Sequence, residues 1–416
     1  MRHAIRERIN LQVLRARWNH GYTVLLLCWF GWISIYLCRS VLPPVLPILI
    51  EELEITHAQA GLFATAFLIG YIVIKIPVGP LTKRIGVKKI LILSMVGYGL
   101  ATMLNILATT FLQLLILRFF VGLFQGIHLP VANTLLSERF KSRQGRAIGF
   151  HESGPNVGNA LALPLSVTIA SLWSWRWAFF LLSLPAFALA FSTVFILKDD
   201  EIVQEPKIHP AKNPSGNHGL SFYLRLLVSL ALAHAVYNIC LQTLFNFAPT
   251  FLVESRGMSL ATAGFISMIM PAAGFFAKIS SGFIAEKFGR KNAICAATTL
   301  SGVFIAALTL FKGKYELAII FVLIGLVLYS FSPTIYAYVT ATLPLNLKTM
   351  GLSLVTMTGN IAGALSAPLA GFLIDTQGYN TALFCVSSAV IFTTVIIYIA
   401  LAGVGEKDYG RIRQIE

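Results

Sequence analysis

Charged side chains are scarce in this chain: Asp, Glu, Lys and Arg make up 12% of its 416 residues, whereas 56% are hydrophobic. Soluble domains carry about twice that share of charge, about 25%. Apolar runs of ~20 residues, the length that crosses a bilayer as a helix, recur along the sequence. The composition excludes an ordinary soluble enzyme. It predicts an all-α integral membrane protein, because a helix satisfies its own backbone hydrogen bonds in lipid.

Paired cysteines and catalytic motifs are lacking as well. The cysteines are Cys28, Cys38, Cys240, Cys295 and Cys385. All five lie within apolar runs without a CxxC or a paired spacing, which predicts packing residues rather than disulfides or metal ligands. The sequence also contains no Ser/His/Asp arrangement, phosphate-binding loop or metal-ligand spacing. We therefore expect no enzymatic activity, no cofactor and no bound metal.

Twelve apolar runs, separated by charged or Gly/Pro-rich breaks, predict twelve transmembrane helices. They cover residues 22–50, 59–80, 88–108, 111–136, 145–171, 175–197, 221–252, 260–284, 290–311, 316–342, 349–374 and 380–403. The long polar segment 198–220 predicts a linker between a six-helix bundle at 22–197 and a second at 221–403. A basic arm, 1–21, precedes the first bundle, and a tail, 404–416, follows the second. No cleavable signal peptide is expected, because the first apolar run is too long for one.

Positive charge is unevenly divided between the two sides that these helices define. The chain carries 32 Lys and Arg against 17 Asp and Glu, a net charge of +15. On one soluble face such an excess would indicate nucleic-acid binding, but 24 of the 32 fall in segments on the side of the N-terminal arm. The positive-inside rule then predicts a protein of the inner (cytoplasmic) membrane with both termini in the cytoplasm. No nucleic-acid partner is expected.

An internal repeat relates the two predicted bundles. A shift of 203 residues aligns Gly61 with Gly264, Lys75 with Lys278, Gly79 with Gly282, Gly86 with Gly289, Lys88 with Lys291, Gly122 with Gly325, and Pro130 with Pro333. One offset that holds without gaps indicates two similar bundles, related by an axis along the membrane normal. A solute site is expected between them, near the middle of the membrane.

A glycine-rich loop occurs once in each half, as GPLTKRIGVKK at 79–89 and GFIAEKFGRKN at 282–292. Both copies resemble the Gly-x-x-x-Asp-Arg-x-Gly-Arg-Lys signature of the major facilitator superfamily. The resemblance implies that family's transporter fold of two pseudo-symmetric six-helix bundles. It also implies a role in the conformational change for Gly79, Gly86, Gly282, Glu286, Gly289 and Arg290. Lys83 stands at the acidic position of the first copy, so the family's acidic latch is expected in the second alone.

Several segments further resemble the anion:cation symporter branch of this superfamily, among them YLCRSVLPPVLP at 36–47 and RFFVGLFQGIHLP at 118–130. That branch includes relatives of the hexuronate and galactonate carriers. The resemblance implies that Arg39 binds the anionic group of the substrate. Arg118 matches a second arginine in the fourth helix.

Three positions depart from the patterns of the better-known members. Proton-driven members carry acids where this chain has Cys38 and Gln125, so proton symport through those acids is not expected. Organophosphate antiporters carry a second arginine in helix seven, but the 203-residue offset places Gln242 opposite Arg39. A two-arginine phosphate clamp is not expected either.

Four basic residues lie within predicted helices: Arg39, Arg118, Lys75 and Lys278. A charge at the bilayer centre costs on the order of 3 kcal/mol, so each is a candidate for function. Arg39 either forms a bidentate pair with a carboxylate or phosphate of the substrate, or it pairs with an acid of the protein or bonds the backbone carbonyls freed by the prolines that follow it. Arg118 acts in substrate binding, in gating or in structure. The lysines either form an electropositive vestibule or extend to cytoplasmic water.

Glu152, next to His151, is the clearest acid within a predicted helix. Three interpretations stand side by side. The pair could carry a coupling proton, the carboxylate could neutralise Arg118 or Arg39 when the site is empty, or it could face the cytoplasmic vestibule.

Helix seven carries a predicted polar stripe. His234, Asn238, Gln242 and Asn246 recur at four-residue steps. Such spacing places them on one face, which we expect to line the cavity, although packing with a satisfied hydrogen bond is the competing interpretation for His234. Gln125, Tyr329 and Tyr336 are the predicted neighbours from helices four and ten.

Four embedded bases against one clear acid predict a secondary carrier for a small organic anion, such as a carboxylate, a sugar acid or a phosphate ester. The two bundles would rock about the bound anion in alternating access. The alternative is an efflux antiporter for amphipathic or cationic compounds, which predicts acids in the cavity. We expect a functional monomer in contact with lipid. The residues leave open the substrate, the direction of flux, and coupling to a proton, to sodium or to a counter-anion.

Overall fold

The computed structural model describes residues 20–140, 143–198, 220–343 and 345–400. These residues form twelve helical passes, α1 to α12, and no strand occurs among them. In the first bundle, α1 comprises His20–Ser40 and Leu42–Glu52, α2 His57–Val73 and Val78–Ile85, α3 Val87–Met103, α4 Phe111–Gln125 and His128–Arg139, α5 Gln144–His151 and Gly154–Leu172, and α6 Trp175–Ile196. In the second, α7 is Leu220–Thr250 with the π-helical turn Phe251–Ser255, α8 Leu260–Phe288, α9 Arg290–Leu310, and α10 Lys314–Leu328 and Phe331–Thr342. The helix Leu345–Ala400 contains α11 and α12, which are separated at Gly378.

The prediction of an all-α membrane protein is confirmed. Nine helices among the described residues are long and apolar enough to cross a membrane, or ten when the bent α2 counts as one span. The stretch Met350–Ile399 is a single one of these although it contains both α11 and α12. The remaining pass, α5, is less apolar because it carries residues such as Asn156 and Asn159. The predicted arm, linker and tail fall outside the described residues, apart from one or two residues at their edges.

Prolines account for the breaks within the helices, because proline lacks the N–H that continues the helical ladder. The second segment of α2 follows Pro77 and is bent by 57° from the first. The break in α4, at 126–127, stands just before Pro130, and the break in α10, at 329–330, stands just before Pro333. The breaks in α4 and α10 are therefore 203 residues apart, as the repeat requires.

Glycines of the repeat also adopt equivalent conformations. Gly86 and Gly289 have φ of +87° and +85°, a region that L side chains rarely adopt. Gly122 packs on the backbone of α2 and Gly325 on that of α8, so closely that an added Cβ would clash with the carbonyl oxygens of Phe67 and Met270. The two pseudo-symmetric bundles predicted from the sequence are thus confirmed as α1–α6 and α7–α12.

The bundles meet mainly through two pairs of helices, α2 with α11 and α5 with α8, and the second segment of α1 also packs against α7. Gly61 of α2 packs against the backbone of Ala367, and Gly264 of α8 packs against Val167 of α5. The two glycines are equivalent in the repeat. Both interfaces therefore use the same element, a glycine that lets the opposite helix approach.

The contacts between the bundles are concentrated at one end, the side that the charge distribution predicts to be extracytoplasmic. They include His57 at the start of α2 and Thr65 further along it, which donates to the backbone oxygen of Ala364 at 2.5 Å. Towards the other end of α2 and α8, Gly79 and Gly282 have no atom of another segment within 4 Å of an added Cβ. We call these the closed end and the open end.

Candidate functional site

A narrow pocket with a cavity volume of about 30 Å³ lies between the bundles, at the level of the break in α1. Its polar lining comes from Arg39 of α1, Arg118 of α4, and Gln242 and Asn246 of α7. Aromatic and aliphatic side chains of α1, α2 and α7 form the rest of the wall. A few convergent polar groups on an apolar wall are typical of a small-molecule site, although the cavity in this form is narrower than the roughly 300 Å³ or more that such sites usually have.

Arg39 is held by aromatic rings rather than by an acid. Its Cζ lies 4.6 Å from the centroid of the Phe67 ring and 5.3 Å from that of Tyr36. The one hydrogen bond that its guanidinium makes to a described residue, from Nη1 to the Tyr36 hydroxyl, is long at 3.5 Å. Among the described residues no carboxylate lies within ion-pair distance of it. The rings fix the plane of the guanidinium and leave its N–H groups available to a ligand.

Arg118 is the most deeply buried cation of the pocket, with 2% of its surface exposed. Nη1 donates to the backbone oxygen of Arg39 at 3.3 Å, and Cζ lies 5.0 Å from the Phe179 centroid. Nε and Nη2 are buried without a hydrogen-bond partner, and no acid of the described chain pairs with them. Burying a charge is costly unless it is paired. Because no described residue pairs with Nε and Nη2, this buried guanidinium is left without an anionic partner.

The positions at which proton-driven relatives carry acids hold neutral, buried side chains. Cys38 Sγ donates to the backbone oxygen of Leu182 at 3.5 Å. Gln125 Nε2 donates to the backbone oxygen of Ile35 at 3.1 Å. Neither lines the pocket, so the structure places Gln125 between α4 and α1 rather than beside Arg39. These two positions therefore provide no negative charge to compensate Arg39 and Arg118.

The polar stripe of α7 divides into two parts. Gln242 and Asn246 line the pocket opposite Arg39, and Asn246 Nδ2 donates to the Gln242 backbone oxygen at 2.7 Å. His234 lies two turns nearer the open end, where Nδ1 is 2.8 Å from the backbone oxygen of Val355 and Nε2 is 3.1 Å from the Tyr336 hydroxyl. Asn238 and Tyr336 therefore belong with His234, in a cluster that joins α7, α10 and α11.

Lys278 reaches across the interface between the bundles. Its Nζ donates to Asn156 Oδ1 of α5 at 2.8 Å and lies 5.8 Å from the centroid of the Tyr329 ring. Asn156 in turn donates to the backbone oxygen of Pro271 at 3.1 Å. Glu152, one turn before Asn156, is near enough to interact electrostatically with Lys278. This lysine therefore faces α5 rather than the water at the end of its own helix.

Lys75, the equivalent of Lys278 in the repeat, has a different environment. It stands in the break of α2, half-exposed, with Nζ 4.3 Å from the centroid of the Tyr71 ring. The physical reason is local, because Pro77 bends α2 at this point whereas α8 continues straight through Lys278.

His151 and Glu152 are neighbours that differ in burial. His151 is fully buried, with its ring stacked on Trp32 at 5.6 Å and 5.7 Å from the ring of His128. The Glu152 side chain is 44% exposed and lies 4.0 Å from His151 Nδ1. The histidine therefore packs in the core of the first bundle, while the carboxylate faces the space that it shares with Lys278.

The loop-motif residues lie at the open end. Gly86 and Gly289 form the turns into α3 and α9. Gly79 and Glu286 are exposed, and Arg290 begins α9.

Sequence reasoning missed a charged cluster at the closed end, formed by His57, Glu254 and Asp375. Each residue falls one or two positions outside a predicted helix, where isolated charges are common. The pairs are separated by 197 and 318 residues along the chain. Opposite sign was the only signal available, and it does not identify partners at that distance.

Comparisons with known proteins agree with this architecture. The family model of the Major Facilitator Superfamily matches residues 28–313 and 230–415. The chain is 25% identical over 392 residues to the hexuronate transporter of Bacillus subtilis (strain 168), covering 90% of this chain and 93% of that one. It is 23% identical over 422 residues to the D-galactonate transporter of Escherichia coli O6:H1, covering 92% and 95%. A bacterial homologue of the human lysosomal transporter Spinster, solved in an inward-facing and occupied conformation, has a similar fold, with a TM-score of 0.75 at 18% identity over 92% of this chain and 95% of that one.

Proposed function

The chain is a member of the major facilitator superfamily, and we propose that it is a secondary transporter that moves a small organic anion across the cytoplasmic membrane by alternating access. The observation that carries the proposal is Arg118, a buried guanidinium with two unpaired N–H groups and no acid beside it. A bound carboxylate or phosphate supplies the missing acceptors. Arg39, in the same pocket, provides a second positive group for the same anion.

A sugar acid is the substrate class that best suits this lining. The carboxylate bonds the arginines of the first bundle, and the amides of Gln242 and Asn246 are placed to exchange hydrogen bonds with hydroxyl groups from the second. The names of two relatives, a hexuronate and a D-galactonate transporter, support this choice. A phosphate ester satisfies the arginines equally well, which makes it the class to be compared directly.

The bound anion links the two bundles, because its polar partners come from both. We propose that it lowers the barrier to their reorientation about the central pocket, from the form that is closed at one end to the form that is closed at the other. Glu152, Lys75 and Lys278 are proposed to line the route to the open end. Glu152 and Lys278 would neutralise each other until the anion passes.

The proposed orientation places the open end and both termini in the cytoplasm, following the distribution of Lys and Arg. Residues 22–197 and 221–403 act as the two moving bundles, joined by the linker 198–220. One chain contains both walls of the pocket, so we propose a functional monomer within the lipid bilayer. The proposed cycle has no catalytic step and no cofactor. The coupling ion is proposed to be a proton or sodium, with anion exchange as the alternative.

Uptake into proteoliposomes tests the proposal. The probes are labelled D-glucuronate, D-galactonate, glycerol 3-phosphate and a lipophilic cation, each with a pH gradient, a sodium gradient or neither. We expect saturable flux of at least one anion that falls sharply in Arg118→Gln and persists in Arg176→Gln, whose side chain pairs with Glu52 outside the pocket at 2.8 Å. Export of the cation without any anion flux would establish the efflux alternative instead.

A further inference from the structure

The charged cluster at the closed end joins three helices of the second bundle to the first residue of α2. His57 Nδ1 lies 2.7 Å from Asp375 Oδ1 of α11, and Nε2 lies 2.9 Å from Glu254 Oε2 of α7. The hydroxyl of Tyr379, at the start of α12, donates to the same Glu254 oxygen at 2.8 Å and lies 3.0 Å from Nε2. We call these four residues the gate. All of its ion pairs cross between the bundles.

The hydrogen-bond partners determine the charge of His57 in this form. An ionised carboxylate has no proton to donate, so a ring nitrogen bonded to it must be the donor. Both ring nitrogens face carboxylate oxygens, an arrangement that favours the doubly protonated imidazolium. Asp375 is held in its ionised form by two further donors, the backbone N–H groups of His57 at 3.0 Å and Ala58 at 2.9 Å. The closed gate therefore stabilises the protonated form of His57.

No other cation of the described chain pairs with these carboxylates. The groups that face the His57 ring are Glu254 from α7, Asp375 from α11 and Tyr379 from α12, with the Phe247 ring 6.3 Å away, centroid to centroid. Without the proton the gate brings two negative groups around a neutral ring, and like charges so close repel each other. With the proton, both carboxylates attract the start of α2.

We propose that His57, Glu254 and Asp375 form an extracytoplasmic proton-binding site that controls closure of the transporter on that side. The closed gate binds the proton more strongly than the separated residues do, so closure is favoured at low external pH and is lost as the pH rises. The proposal rests on the orientation and the alternating access proposed above. His57 takes up and releases its proton on the same side of the membrane. External acid therefore shifts the balance between the closed and open forms without driving accumulation, unlike a co-transported proton.

Distance measurements on the full-length protein in lipid nanodiscs test this site without reference to any substrate. Spin labels at Ser171→Cys, in the exposed last turn of α5, and at Lys312→Cys, on the exposed loop before α10, place one probe on each bundle at the closed end, after replacement of Cys295 and Cys385 by serine. Double electron–electron resonance then gives the ratio of closed to open forms between pH 5 and pH 8. One linked proton predicts a change of up to about tenfold per pH unit.

His57→Gln is expected to remove this pH response, and His20→Gln, an exposed histidine at the other end of α1, to retain it. If His57→Gln populates a single form, the double variant Glu254→Gln/Asp375→Asn, which keeps the histidine but removes both carboxylates, must abolish the response instead. A pH response that survives in both gate variants, or that is missing from the unmodified protein, would overturn the proposal.

External pH should also change the rate of anion exchange, but not the final accumulation ratio, at fixed internal pH. Because the spin-label readout needs no anion, it can fail while anion transport stands, and the reverse also holds.

Discussion

The central pocket and the gate treat charge in opposite ways. In the pocket, Arg39 and Arg118 face amides and aromatic rings but no acid of the described chain. In the gate, a single histidine faces two carboxylates. The pocket therefore lacks an anion and the gate lacks a cation until His57 is protonated. A charge left without its partner indicates what each region binds, an organic anion in one case and a proton in the other.

The two regions also differ in burial, which fits their tasks. Arg118 is 2% exposed, so its unpaired N–H groups have no water to bond and a ligand makes a large difference. In the gate, the side chains of His57, Glu254 and Asp375 are 17% to 32% exposed. Ion pairs that water reaches contribute about 1 kcal/mol or less each. Such bonds can be broken and re-formed in every transport cycle, whereas the pocket can discriminate strongly between an anion and none.

Removing a pocket cation should produce the largest effect. In Arg39→Ala the anion loses a charged partner, a loss typically of 2–5 kcal/mol, so kcat/KM for anion uptake is expected to fall at least about 30-fold. The matched control is Arg176→Ala, which breaks the pair with Glu52 outside the pocket and should change uptake little. Equal losses in the two variants would show that the pocket arginine has no special role.

Adding an acid to the pocket should give its arginines an internal partner of opposite charge, such as the gate already has. Gln242→Glu places a carboxylate of nearly the same shape in the pocket that contains Arg39. The internal carboxylate competes with the substrate, so KM for the anion is expected to rise about tenfold. Gln242→Asn, which stays neutral, is the control and should alter KM less. An unchanged KM in Gln242→Glu would mean that the anion binds elsewhere.

Removing charge from the gate should alter conformation rather than affinity. Asp375→Asn keeps an oxygen for the N–H groups of α2 but loses the ionic attraction to His57. The ratio of closed to open forms at pH 6 is expected to fall about threefold to fivefold, which corresponds to about 1 kcal/mol or less. The Kd of the anion for the pocket should stay within about twofold, after correction for the conformational ratio. A large loss of intrinsic affinity for the anion would show that the gate contributes to anion binding as well as to conformation.

The smallest effect is expected at Lys75. Its ammonium is half-exposed beside Tyr71, and substitutions at such positions usually change free energies by less than about 0.5 kcal/mol. Lys75→Gln should therefore change the uptake rate by about twofold or less. Lys278→Gln removes a bond across the bundles and should reduce the rate further. The opposite order would show that the electropositive route runs along α2.

Periodicity and the repeat predicted most of the fold, because helix length, glycine packing and proline breaks depend on local sequence. The same 203-residue offset placed Gln242 opposite Arg39, and the structure brings both into one pocket. The different surroundings of Lys75 and Lys278 were not predictable from the repeat. They follow from Pro77, which has no counterpart at the equivalent position, Ser280.

The gate could not be predicted at all. Its residues lie near the ends of α2, α7 and α11, and they meet only because the bundles close at that end. Gln125 illustrates the converse, since the family pattern selected its position but the fold turns its side chain into the contact with α1. Sequence patterns identify which faces are polar, whereas the angle between helices decides which polar groups share a space.

The most direct test of the account is equilibrium binding of the transported anion to the purified protein, measured by isothermal titration calorimetry. The comparison is between the unmodified chain, Arg118→Gln and Gln242→Glu, with folding checked by thermal unfolding in the absence of ligand. The account predicts saturable binding by the unmodified chain and a Kd at least about tenfold higher in each variant, because each removes or neutralises positive charge in the pocket. An unchanged Kd in both variants, with all three proteins folded, would contradict the central claim that the unpaired arginines bind the substrate.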